Sequence, residues 1–275
     1  MDTKTIVITG SSDGIGAAAA RQLHRDGHRV VVVGRSARKT EAVAREIGAD
    51  HYLADFTRLD EVRKLAAELD AAYPRIDVLA NNAGGVFGDP ARTADGFEQT
   101  FQINHLAPFL LTSLLLPKLI ASRATVIQTS SVGARMAPRI DLDDLAFDRN
   151  YSPIRVYGAA KLENILFTKE LHRRYHDQGI SAVAFHPGNI ATNFGKESTS
   201  GLMRFIATNP VTRAVLLTTP EKGADQIVWF AETEPGVDWQ PGDYYVKRKP
   251  ARTNPQAADA DLARRLWERS EELVG

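Results

Sequence analysis

Short apolar runs alternate with longer amphipathic ones through most of this chain. Thr5–Thr9 (TIVIT) and Arg29–Gly34 (RVVVVG) are rich in β-branched residues and show no inside–outside alternation. Such runs suit strands of a parallel sheet that is covered on both faces. Asp50–Leu53, Ile76–Ala80, Ala124–Thr129, Ile180–His186 and Gly242–Val246 bring the predicted strands to seven. Helical periodicity predicts helices over Ala17–Arg25, Ala37–Ile47, Leu59–Ala72, Gly96–Ile120 and Arg155–His176. The fourth should bend or break near Pro108. Thr219-Pro220-Glu221 reads as the cap and first turn of a helix reaching Glu232. Leu262, Leu266 and Leu273 give Asp259–Leu273 an apolar stripe. Strand and helix in alternation predict a single α/β domain over residues 1–275, a doubly wound parallel sheet of seven strands flanked by helices. Asn193–Thr219 breaks the pattern. It starts rich in Ser, Thr, Gly and Lys, then runs helically across Pro210, which makes it a candidate lid.

Composition changes this picture little. The 275 residues suffice for one such domain. Lys plus Arg and Asp plus Glu both number 34, so nothing in the charge balance calls for nucleic acid or an anionic membrane. The absence of cysteine excludes disulfides, thiolate nucleophiles and cysteine metal sites. The seven histidines lack ligand spacing, so no metal is expected, and His105 and His186 read as packing residues. The apolar stretch Phe109–Ile120 is too short to span a bilayer, and the opening MDTKTIVITG has no basic, apolar leader. A soluble, cytoplasmic protein is the expectation.

Candidate chemistry starts where the first strand ends. Gly10, Gly14 and Gly16 allow a tight turn and close backbone approach at the head of a helix, where unpaired N–H groups attract phosphate. The spacing is G-x-x-x-G-x-G, and its position points to a dinucleotide. Ser12, Asp13 and Ile15 share the loop and join the cofactor-side candidates. The second strand ends Gly34-Arg35-Ser36, with no acid to hold a ribose 2′-hydroxyl. Arg35 can instead pair with a 2′-phosphate through its planar fork, and Ser36 can add a hydroxyl. NADP(H) is therefore expected over NAD(H), against the alternative of a solvated basic loop. Asp13 is the acidic residue that works against this preference. After the third strand, Asp55 either meets an adenine amino group or serves as a helix-start acid, with Phe56 beside it. Asn82-Ala83-Gly84, after the fourth strand, suits packing against a ribose or a plain Asx turn. Tyr157 and Lys161 are four residues apart and share one helix face. The ammonium should lower the tyrosine pKa toward working pH and make it a usable acid or base.

In this order the pieces resemble the classical short-chain dehydrogenase/reductase family over essentially the whole chain. The resemblance rests on Thr9-Gly10-x-x-x-Gly14-Ile15-Gly16, Asn81-Asn82-Ala83-Gly84, Asn104, Ser131, Tyr157-x-x-x-Lys161 and Pro187-Gly188-x-x-x-Thr192. Lys161–Leu171, Phe185–Gly188, Gly242-Asp-Tyr244 and Arg265-Leu-Trp267 are similar to the retinol dehydrogenase-like and WW-domain oxidoreductase-like branch. The resemblance implies a Rossmann fold and hydride transfer between a nicotinamide cofactor and a carbonyl or alcohol. Tyr157 would be the acid/base. Lys161 would tune it and hold the nicotinamide ribose. Ser131, rather than Ser130, would bind the carbonyl oxygen, and Asn104 would anchor a relay water. Pro187, Gly188, Ile190 and Thr192 would meet the nicotinamide. The long stretch between Ser131 and Tyr157 fits the same branch and should overhang the site. The two long helices are the faces on which family members dimerise, which allows a homodimer.

Substrate contacts are expected from Val86, Phe87, Gly133, Phe194 and Leu202. An inward-facing Phe194, Leu202, Met203, Phe205 and Ile206 would favour a hydrophobic ketone, aldehyde or alcohol. The same residues could instead close the core or form a subunit contact. The main alternative is a catalytically idle dinucleotide-binding sensor, which would be expected to lose one of the four polar site residues. A sugar-nucleotide epimerase reading lacks its usual G-x-x-G-x-x-G loop and larger C-terminal domain.

Overall fold

The computed structural model describes residues 2–145, 148–149, 151–188 and 219–275. Its strands are β1 (Thr5–Thr9), β2 (Arg29–Gly34), β3 (Asp50–Leu53), β4 (Val78–Asn81), β5 (Thr125–Thr129), β6 (Ser181–His186), β7 (Tyr244–Val246) and β8 (Lys249–Pro250). They form one sheet in the order β3-β2-β1-β4-β5-β6-β7-β8. All pairings are parallel except β7 with β8. The eighth strand was not expected. Two residues carry no periodicity, and Pro250 can only sit on an edge.

The described helices are α1 (Gly14–Arg25), α2 (Ala37–Ile47), α3 (Leu59–Ala72), α4 (Gln99–Ser122), α5 (Pro153–Tyr175), α6 (Pro220–Glu232) and α7 (Ala260–Val274). On one face of the sheet Ala17, Ala18, Ala19 and Ala20 let α1 approach closely, and Phe230, Trp239 and Tyr245 fill the rest. The other face is packed by α3, α4 and α5.

One expectation about α4 is corrected and another holds. It does not begin at Gly96, whose φ of 86° and N–H bond to Thr93 (3.0 Å) place it in a turn. The Glu98 carboxylate instead accepts from the Phe101 N–H at 2.6 Å and starts the helix. The expected break near Pro108 is present, as a π-helical turn over Gln102–Leu106. Proline has no N–H for the Asn104 carbonyl four residues back, and its ring needs room in the preceding turn. With that turn included, α4 is long and apolar enough to cross a membrane, but 67% of the window lies inside the protein. It is a core helix here.

α7 packs against α4 and α5. Trp267 stacks on Phe167 (centroids 5.5 Å) and meets Phe109 edge-on (5.1 Å). Arg174 lies over the same indole at 4.9 Å. The buried His105 Nε2 is 2.9 Å from Ser270 Oγ, so His105 is the packing residue its lack of ligand spacing suggested.

Candidate active site

Between β1 and β4 the winding of the sheet reverses, and crevices at such a point open at the carboxyl ends of the strands. The glycine loop closes one side of the crevice. A Cβ on Gly16 would lie 2.5 Å from the Gly10 carbonyl and 2.6 Å from Asn82 Nδ2. Gly10 itself has φ +66° and presses on Ala83, where an added Cβ would be 2.7 Å from Cα. The Thr9 hydroxyl, whose role went unread in the sequence, accepts from the N–H groups of Asn82 (3.0 Å) and Ala83 (3.1 Å). Asn82 Nδ2 donates back to the Thr9 carbonyl at 3.0 Å. The strand-four turn is thereby locked against the glycine loop. Gly10 and Gly16 have no room for a Cβ, and the head of α1 that they shape fits a dinucleotide pyrophosphate.

Asp13 caps α1 by accepting from the Gly14 N–H at 2.8 Å, and Ile15 is half-buried beside it. Ser12 abuts the end of β2, where a Cβ on Gly34 would be 2.8 Å away. Arg35 is exposed and makes no ion pair among the described residues. Ser36 heads α2 without a side-chain cap bond. The Asp55 carboxylate accepts from the Thr57 N–H (2.9 Å) and orders the turn ahead of α3, whose cap residue is Arg58 and whose first-turn acids are Asp60 and Glu61. Phe56, expected on the cofactor side, has its ring in the core at 6% exposure, because the turn after β3 points it inward with Leu59 and Phe101.

Ser131, Tyr157, Lys161 and Asn104 converge on the other side. The Ser131 hydroxyl accepts from the Gly133 N–H at 3.1 Å and sits close enough to the Tyr157 phenol to hold its pKa down. Gly133 faces both, since a Cβ there would lie 3.4 Å from the Tyr157 ring and 3.5 Å from Ser131 Oγ. Ser130 points away and donates to the Lys161 carbonyl at 2.7 Å. Lys161 is enclosed, with Nζ donating to the Thr129 carbonyl at 3.0 Å and lying 5.6 Å from the Tyr157 ring centroid. Asn104 Nδ2 donates to the carbonyls of Gly85 (2.9 Å) and Thr100 (2.8 Å), and Oδ1 accepts from the Gly85 N–H (3.1 Å).

The expected lowering of the tyrosine pKa is reversed. Burial pushes the Tyr157 phenol up to about 12, against a downward contribution from Ser131. Burial also pushes Lys161 down to about 7. Loss of water acts on each group separately and outweighs their mutual attraction. Tyr157 is half-buried and Lys161 wholly enclosed, so the lysine shift has the firmer cause.

Three features were not foreseen. The Tyr244 hydroxyl donates to the Ser131 carbonyl at 3.4 Å, and burial raises its pKa. Glu163, two residues past Lys161, is fully buried with neither carboxylate oxygen hydrogen-bonded; burial, then the nearby Glu98, raises its pKa well above normal. The stretch after Ser131 is also tied down. It forms a 3-10 turn, Val132–Met136, and then meets the C-terminal segment. Asn254 Nδ2 donates to Ala137 (2.9 Å), Gln256 Nε2 donates to Pro138 (3.0 Å), and the Ile140 N–H donates to Gln256 Oε1 (2.8 Å). Asn254-Pro255 is legible as a turn start, but its partner more than a hundred residues away is not.

Of the expected substrate contacts, Val86 is buried and the Phe87 ring lies over Gly85, where an added Cβ would be 3.5 Å from Cζ. Pro187 and Gly188 follow β6, the latter at φ 95°. Ile190, Thr192, Phe194, Leu202 and the lid up to residue 218 lie outside the described residues. A cleft of about 630 Å³ between α1 and α6 is lined by Gln22, Arg25, Asp225 and Arg248 and contains none of the candidate residues.

A family model described as short chain dehydrogenase matches residues 4–202. A Streptomyces sp. (strain C5) protein named as a candidate daunorubicin C-13 ketoreductase is 42% identical, with 99% of this chain and 93% of that protein covered. Human retinol dehydrogenase 13 is 37% identical over 99% of this chain and 85% of its own. A crystal structure of an uncharacterised Mycobacterium paratuberculosis protein superposes with a TM-score of 0.77 at 34% identity, covering 98% of this chain and 93% of that one.

Proposed function

Because the chain belongs to the short-chain dehydrogenases, oxidoreductases that use a nicotinamide dinucleotide, we propose that it interconverts a carbonyl and an alcohol on a hydrophobic small molecule, with NADP(H) preferred and Tyr157 as acid/base. The observation that carries this reading is the pairing of the Ser131 and Tyr157 hydroxyls above an enclosed Lys161, at the crevice where the glycine loop meets β4.

When bound, the cofactor supplies or accepts the hydride. The chain supplies the rest. In reduction, negative charge grows on the carbonyl oxygen, and two prearranged hydroxyl donors stabilise it there. Burial raises the Tyr157 phenol, so it carries a proton to give at neutral pH, and a catalytic acid works best as its pKa comes down toward the operating pH. Lys161 refills that proton, and a water anchored by Asn104 refills the lysine. An anionic ligand arriving beside Lys161 favours its charged form and opposes the effect of burial. All four groups are in place, which argues against an idle sensor. Relatives named for ketoreductase and retinol dehydrogenase activities support a hydrophobic substrate.

The test is a screen for NADPH consumption over aromatic, terpenoid, retinoid and polyketide carbonyls. Turnover of at least one hydrophobic carbonyl is expected. Cofactor binding without turnover across the panel would contradict the proposal.

A further inference from the structure

Asp13 should count against a phosphate-bearing cofactor, yet the structure places a cation on it. Lys39 Nζ lies 2.7 Å from Asp13 Oδ2. The pair joins the glycine loop to the first turn of α2, the turn that follows Arg35 and Ser36. Ser12 and Gly34 touch beneath it, so loop and strand end form one surface. Arg21, another cation that feels the Asp13 charge, is engaged with Glu46 through two bonds of 2.8 and 2.7 Å. Lys39 is a cation in direct contact with Asp13.

We propose that the Asp13–Lys39 ion pair is a specificity element for NADP(H): Lys39 neutralises the carboxylate that would repel a 2′-phosphate, and exchanges toward that phosphate when it binds. The inference rests on the NADP(H) reading of Arg35 given above. Both side chains are largely in water, 41% and 57% exposed, and an ion pair so exposed is weak. A phosphate dianion beside the Arg35 fork and the uncapped start of α2 is a stronger partner for an ammonium. Asp13 keeps its other oxygen on the Gly14 N–H throughout, so the helix cap survives the exchange. The acid thus holds the lysine in place before binding and costs little afterwards.

The test is a double-mutant cycle read by binding of NADPH and NADH, each titrated by fluorescence on the purified protein with no substrate. Wild type, Lys39→Gln, Asp13→Asn and the double variant are compared; asparagine retains the cap. Wild type should bind NADPH more tightly than NADH. Lys39→Gln should weaken NADPH about tenfold and NADH less than about threefold, as expected for one lost charge contact plus an exposed acid. Asp13→Asn should leave NADPH binding unchanged or a few-fold tighter in the wild-type background, and should recover most of the loss when added to Lys39→Gln. An unchanged NADPH-to-NADH ratio in Lys39→Gln, or no recovery in the double variant, would overturn the ion-pair role and leave the NADP(H) reading standing. A wild type that binds NADH more tightly would overturn that reading and this inference with it.

Discussion

Two side chains on α5 show how burial sets charge in this protein. Loss of water raises the Tyr157 phenol, against a lowering by Ser131. Reduction should therefore persist at alkaline pH until the phenol itself begins to ionise. Glu163 is the more demanding case, because it has no hydrogen-bond partner and a raised pKa. Below the unfolded carboxylate pKa both states are protonated and the group is neutral in its effect. As pH rises from there toward the raised folded value, the unfolded state releases a proton that the folded state retains, so stability falls. Glu163→Gln removes this slope. It should gain roughly 1–3 kcal/mol over wild type at pH 8 and almost nothing at pH 4, in urea melts across that range. Parallel stability curves for the two proteins would contradict a protonated Glu163.

At the scale of elements, the stretch between β5 and α5 behaves as a strap rather than a free overhang. Asn254 and Gln256 hold Ala137, Pro138 and Ile140 from the far end of the chain. Asn254→Ala removes one of these buried bonds and should cost about 1–3 kcal/mol. It should also raise KM for the carbonyl substrate while NADPH affinity holds, which steady-state kinetics beside a cofactor titration would separate. This element marks the boundary of what could be read from the chain. The glycine loop, the strand ends and the Tyr157–Lys161 spacing are local patterns, so their positions were legible. The strap, the Thr9 hydroxyl on Asn82 and Ala83, and Tyr244 beneath Ser131 depend on pairs far apart in sequence, which no periodicity encodes. Pro108 did announce an irregular helix. The bend became a π turn one step earlier because the chain solves the missing N–H before the proline rather than at it.

Across the whole molecule, α7 completes a core that the sheet and α4–α5 leave open. Trp267 is 3% exposed among Phe109, Phe167 and Tyr175. Trp267→Ala should cost about 3–5 kcal/mol and expose the apolar faces of α4 and α5. Lower thermal stability together with concentration-dependent association in sedimentation is the expected outcome; a variant as stable as wild type would mean that α7 is not needed to cover those helices. The sheet order meanwhile brings Gly10, Asn82 and Ser131 to the carboxyl edge of the central strands, where α5 adds Tyr157. The central claim is that this edge transfers hydride to a carbonyl carbon with Tyr157 providing the proton. Its most direct measurement is the fate of deuterium from NADPH labelled at the transferable position, using a hydrophobic ketone that the screen identifies. Wild type should place deuterium on the carbinol carbon. Tyr157→Phe should slow that transfer roughly 10²–10⁴-fold while binding NADPH normally. Unlabelled alcohol from wild type, or undiminished label transfer in Tyr157→Phe, would contradict it.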